Sequence, residues 1–174
     1  IVIRANGKAT RTIMEAAPRL KVIGRHGVGL ETVDLPAATE RGIWVVNTPE
    51  ANTLAATEMT MALMLAICRN LPRANASIKN GEWSRSKFLG TQLSNKTIGV
   101  IGLGRIGSRV ATRCQAFGMS VVAYDPYIAE EVAERLHVHL VTDLDELLTR
   151  SDIITVHTPL TDETRGMIGA HEIA

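Results

Sequence analysis

The stretch Thr97-Ile98-Gly99-Val100-Ile101-Gly102-Leu103-Gly104-Arg105-Ile106-Gly107-Ser108 constrains the fold of this chain more than any other. Its first residues read as a buried strand and its last as a helix start. Between them, Gly102, Gly104 and Gly107 fall as G-x-G-x-x-G. A strand that feeds a helix through so short a turn needs each glycine for its own reason. Gly102 permits a tight turn that a side chain would obstruct. Gly104 lets the backbone approach a bound pyrophosphate, and Gly107 lets the helix pack on the strand it has just left. The N–H groups at the helix start present the positive end of the helix dipole to that anion. Glycine-rich turns are common, so the motif takes its weight from the elements on its C-terminal side.

A helical pattern covers residues 106–117, with Ile106, Val110, Cys114 and Phe117 on one stripe, and Gly118 ends it. A second strand, Val121-Val122-Ala123-Tyr124, closes on Asp125, 18 residues after Gly107. Strand, glycines, helix, strand and acid in a unit of about 30 residues form the fingerprint of a dinucleotide site, with the acid on the adenine ribose. A carboxylate there favours NAD and repels the extra phosphate of NADP. A plain turn at Asp125-Pro126 is the alternative.

The chain has 174 residues, enough for one ordinary domain or parts of two. Its net charge is +1 and it has no long basic run, so neither nucleic acid nor a membrane surface is an expected partner. No apolar run is long enough to span a bilayer, and the expected location is the cytoplasm. Cys68 and Cys114 sit in helical patterns among apolar neighbours and read as reduced core residues without metal-ligand spacing. The chain begins inside a strand pattern, without methionine, and ends in what reads as a first helical turn. It is expected to be part of a longer protein.

Residues 1–48 alternate strand and helix, with strands at 1–3, 20–23 and 43–46 and helices at 10–17 and 35–41. That rhythm predicts a parallel sheet with helices on its faces. Residues 24–31, Gly-Arg-His-Gly-Val-Gly-Leu-Glu, read as a loop at the carboxyl end of a strand, where open α/β sheets bind ligands. Its glycines can turn N–H groups toward an anion; an ordinary glycine turn is the alternative. Pro49 marks the expected boundary, with 1–48 as one part and 49–174 as a doubly wound α/β domain. A helix over 52–69 is apolar nearly all round, which predicts burial on more than one side, between domains or against another subunit. Pro72 interrupts it, and a second helical stretch reaches Asn80. Residues 81–92 read as an irregular excursion in which Trp83 and Phe88 form either a docking surface or local packing. Later come helices at 130–136 and 144–148 and strands at 138–140 and 153–156. The last strand ends in His157-Thr158-Pro159-Leu160, with Thr158 and Pro159 placed to touch a bound cofactor.

These residues together resemble the D-isomer-specific 2-hydroxyacid dehydrogenases over essentially the whole chain. The resemblance rests on Gly24-Arg25-His26-Gly27-Val28-Gly29 with Asp34, on Arg41-Gly42-Ile43-Trp44-Val45-Val46-Asn47-Thr48-Pro49, and on Asn52 with Glu58. Gly81-Glu82-Trp83, the 102–107 motif, Tyr124-Asp125-Pro126 and Val156-His157-Thr158-Pro159-Leu160 complete it. It implies a flavodoxin-like substrate domain, of which 1–48 is the later part, and a truncated Rossmann NAD-binding domain over 49–174. It implies that amides near Val28 and Gly29 hold the substrate carboxylate and that Arg4 reaches the substrate. Gly102, Gly104, Arg105, Ile106, Gly107, Asp125, His157, Thr158 and Pro159 would line the NAD site. The catalytic arginine, glutamate and histidine would lie beyond Ala174, so this stretch alone would be inactive. His26 has no assigned role, and His137, His139 and His171 read as structural or exposed. Two departures stand out: Arg4-Ala5-Asn6 where Arg-Ser is frequent, and Glu31-Thr32 where Asp-Asn is common. The implied activity is NAD-dependent oxidation of a small-molecule D-2-hydroxy acid, first 3-phospho-D-glycerate, by a homodimer or homotetramer. A hydroxypyruvate or glyoxylate reductase is the alternative enzyme, and a non-catalytic NAD-sensing corepressor the alternative of another class.

Overall fold

A computed structural model describes residues 1–173. The chain divides into two compact units, Ile1–Leu54 and Ala55–Ala174. The first contains β1 (Val2–Arg4), α1 (Arg11–Glu15), β2 (Val22–His26), α2 (Leu35–Glu40) and β3 (Trp44–Asn47). The strands are parallel in the order β1-β2-β3. Met14, Ala37 and Ala38 of the two helices pack on Ile3, Ile23 and Ile43. Asp34 caps α2 by accepting from the Ala37 N–H at 2.9 Å, and Pro36 sits in the first turn, where its missing donor costs nothing. Strand β2 runs through Gly24, Arg25 and His26, where the glycine pattern predicts a loop. Ladder bonds to β1 on one side and β3 on the other outweigh the poor strand propensity of glycine.

The second unit holds α3 (Thr53–Cys68), which begins at the division, and α4 (Leu71–Lys79). A 3-10 turn follows at Arg85–Phe88, then β4 (Thr97–Ile101), α5 (Gly107–Ala116), β5 (Ser120–Tyr124) and α6 (Glu130–Arg135). The unit closes with β6 (His139–Val141), α7 (Leu144–Arg150), β7 (Ile153–Val156) and α8 (Ala170–Ile173). Its four parallel strands run in the order β6-β5-β4-β7. Central β4 is apolar and buried, as a parallel strand covered on both faces must be. Val110 and Cys114 of α5 and Met61 and Met64 of α3 join the core that contains Ile98 and Val100. Leu147 of α7 joins Ile101 and Val122 in a second core. Chain order reverses at β4, with β5 on one side and β7 on the other; such a switch point is where open α/β sheets take ligands.

Several expectations change. Phe117 is not on the buried stripe: α5 ends at Ala116, and Phe117 caps it, half exposed. Cys114 is buried, and burial pushes its thiol up to about 11. Cys68 is only half-buried. Helix α3 is buried within this chain on one side only, through Thr53, Thr57, Met61 and Met64, while Leu54, Met59, Leu63 and Ile67 are exposed. The break after α3 lies at Asn70, in the left-handed region at φ 52°, and Pro72 opens α4 rather than ending α3. The two helices bend by 65°, and among the described residues no single helix is long and apolar enough to cross a membrane. Trp83 is 77% exposed. Phe88 is half-buried, with the Arg73 guanidinium 6.0 Å from its ring centroid.

Candidate functional site

The carboxyl ends of β4, β5 and β7 surround one cavity of about 440 Å³. Gly102 and Gly104 contribute from the turn after β4. Tyr124, Asp125, Pro126 and Tyr127 contribute from the end of β5, and His157, Thr158 and Pro159 from the loop after β7, which continues to Met167. The three segments are tied together through the backbone. The Gly102 N–H donates to the Tyr124 carbonyl at 2.9 Å, and the His157 N–H to the Ile101 carbonyl at 2.8 Å.

The three motif glycines meet different surroundings. Gly102 has φ +89°, and a Cβ there would sit 3.0 Å from the His157 carbonyl carbon and from Thr158 Cγ2. A Cβ on Gly107 would collide with the Gly102 carbonyl oxygen, so α5 lies tight on its strand. A Cβ on Gly104 would meet nothing within 4 Å. The Asp125 carboxylate accepts from the Leu103 N–H at 2.8 Å and from the Tyr127 N–H at 3.0 Å. Each of its oxygens retains capacity for a further bond. The bond to Leu103 latches the glycine turn to the end of β5, a role that the motif alone does not reveal. His157 is half-buried with Nε2 2.9 Å from Thr155 Oγ1, and burial holds its pKa below the usual histidine range.

Other predicted residues stand elsewhere. Arg105 lines a separate groove with Gly104, Ser108, Arg109 and Arg135, Ile106 packs against the core, and Gly107 is buried. Sequence reasoning missed Tyr127, Thr161, Glu163, Thr164 and Met167, all of which line the cavity. The Thr164 hydroxyl donates to the Pro159 carbonyl at 2.6 Å and accepts from the Thr161 N–H at 2.8 Å, which shapes that loop. The Tyr127 hydroxyl donates to Glu163. A tyrosine beyond the ribose acid and a glutamate in a polar loop carry no periodic signal that would have paired them.

In the first unit, Arg4 ends β1 beside His26, with its side chain exposed. Ala5 follows at φ 48°, a left-handed turn that costs a non-glycine residue about 1–2 kcal/mol. Its carbonyl accepts from Arg25 Nη2 at 3.3 Å, while Arg25 Nη1 donates to the His26 carbonyl at 2.7 Å. Arg25 is only 9% exposed, and its Nε has no hydrogen-bond partner among the described residues. Asn47 Nδ2 donates to the Val28 carbonyl, and the Gly27 N–H donates to Thr48 Oγ1, each at 2.8 Å. The Glu31 carboxylate lies against Gly29 so closely that a Cβ there would collide with it.

Parallel strands, a glycine turn at the switch point and an acid latched beside it define a dinucleotide-type α/β unit. The D-isomer specific 2-hydroxyacid dehydrogenase, NAD binding domain family matches residues 61–174, and the chain belongs to that family. It is 55% identical over 174 residues to D-3-phosphoglycerate dehydrogenase of Methanocaldococcus jannaschii, covering all of this chain and 33% of that protein. The human D-3-phosphoglycerate dehydrogenase is 45% identical over the same span, with 32% of its length covered. The crystal structure of D-lactate dehydrogenase from Aquifex aeolicus complexed with NAD and lactic acid superposes with a TM-score of 0.88 at 37% identity. That match covers 99% of this chain and 52% of the solved one. The chain therefore spans about a third of the length of the curated relatives it matches.

Proposed function

We propose that this chain belongs to an NAD-dependent enzyme that oxidises a D-2-hydroxy acid, 3-phospho-D-glycerate, to the 2-oxo acid. The substrate reading rests on the relatives named D-3-phosphoglycerate dehydrogenase, which match at 42–55% identity across the whole chain. The cofactor reading rests on the open space above Gly104 next to the Asp125 carboxylate, inside a family NAD-binding domain. In this reading residues 49–174 are the NAD-binding domain and 1–48 the later part of the substrate domain.

The pyrophosphate lies over Gly104 at the start of α5, with Arg105 beside it, and Asp125 accepts from the ribose hydroxyls. His157, Thr158 and Pro159 line the outer wall. NAD, when bound, supplies the hydride acceptor. Arg4 pairs with a charged end of the substrate, and the N–H groups at Val28 and Gly29 hold its carboxylate. The arginine, glutamate and histidine that orient the substrate and take its hydroxyl proton lie outside this chain. A second copy covers the exposed apolar face of α3 and Trp83, giving a homodimer or a tetramer built from it, in the cytoplasm.

The test is titration of the full-length protein with NADH, followed by turnover with 3-phospho-D-glycerate, hydroxypyruvate and glyoxylate. Turnover fastest with phosphoglycerate is the expected result. NADH binding without turnover of any of these acids would support the NAD-sensing alternative.

A further inference from the structure

Two exposed side chains from different loops meet at the cavity of the second unit. Tyr127, 80% exposed, stands two residues past Asp125 at the end of β5. Glu163 stands in the loop after β7, 36 residues further on. Both line the cavity, and the Tyr127 phenol donates to the Glu163 carboxylate. Strands β5 and β7 flank β4 without touching each other, so their ends lie two strand spacings apart, about 10 Å. The Tyr127–Glu163 bond is thus a tie between two walls that the sheet itself holds apart.

We propose that this pair is a clasp that retains the adenosine half of the cofactor. The inference rests on the NAD-dependent reading of the site. With the ribose on Asp125, its base projects between the walls toward Pro126, Pro159 and Met167, which line the same cavity. A phenol tied to a carboxylate fixes the distance between those walls. Without the tie, both loops move independently and the base leaves sooner.

The experiment uses the full-length protein with three variants: Tyr127→Phe, Glu163→Ala and the double. Each single variant should raise the NADH dissociation rate about two- to tenfold, the equivalent of one net hydrogen bond. The double variant should be no worse than either single one, because both remove the same bond. ADP-ribose, which keeps the adenosine end and lacks nicotinamide, should lose affinity by the same factor as NADH. In the ligand-free protein, hydrogen exchange should speed up in both loops, residues 125–129 and 159–167, in Tyr127→Phe. Additive effects in the double variant, a loss for NADH without one for ADP-ribose, or unchanged release rates would each overturn the clasp. Failure of the wild-type protein to bind NADH at all would instead overturn the cofactor reading on which it rests.

Discussion

Asp125 holds the N–H groups of Leu103 and Tyr127, and in the proposed complex it takes the ribose hydroxyls as well. Asp125→Ala should therefore weaken NADH by about ten- to a hundredfold, the range of a charge-assisted hydrogen bond, and narrow the preference over NADPH. Fluorescence titration with both nucleotides checks this; tighter NADPH than NADH binding in the wild type would refute the ribose assignment. Arg4→Ala in the full-length enzyme should raise KM for phosphoglycerate by a similar factor, about ten- to a hundredfold. An unchanged KM would remove Arg4 from the site. His157 offers a pH test. Burial depresses its folded-state pKa, so below about 6.5 the unfolded chain takes up a proton that the native one resists. That contribution to stability is complete above this value and is lost as pH falls. Melting temperature should drop from pH 7 to pH 5, and His157→Gln should flatten the drop.

At the scale of the strand–turn–helix element, two glycines of one motif should separate stability from binding. Gly107→Ala drives a Cβ into the Gly102 carbonyl and pushes α5 off its strand. Overpacking of that kind costs about 1–3 kcal/mol, visible as a lower denaturation midpoint. Gly104→Ala meets no protein atom and should leave the midpoint unchanged, yet its methyl would stand where the pyrophosphate approaches. Calorimetry with and without NADH distinguishes them: the first variant melts early in both states, the second loses only the shift that NADH produces. If Gly104→Ala bound NADH normally, the pyrophosphate would have to lie elsewhere.

For the whole molecule, the informative surface is the exposed side of α3. Met59, Leu63 and Ile67, four residues apart, line one exposed side of α3, and Trp83 is exposed as well. A two-fold contact would bury the same face of two copies at once. Light scattering on the full-length protein should give a mass of at least two chains, and Leu63→Glu should lower it. A monomer in the wild type would overturn the second-copy reading. The sheet of the first unit also leaves Val2, Val22, Trp44 and Val46 exposed on the face away from α1 and α2.

Much of the fold was legible because it rests on short-range patterns. Apolar runs of strand length, 3.6-residue stripes and the spacing of Gly102, Gly104 and Gly107 each act within a few residues, where backbone geometry dictates the outcome. The position of Asp125 was legible for the same reason, since one strand–helix–strand unit sets its distance from the glycines. The limits of elements were less so: β2 continues through Gly24 because strands on both sides pair with it, and Phe117 turns outward because α5 has ended. What only tertiary structure decided are the pairings between distant residues. Buried Arg25 finds its acceptor in the Ala5 carbonyl, 20 positions earlier. Asp125 latches Leu103 across 22 positions, and Tyr127 meets Glu163 across 36. Such contacts arise only when parallel strands bring loop ends together in space, and no local pattern of residues encodes which loop ends those are.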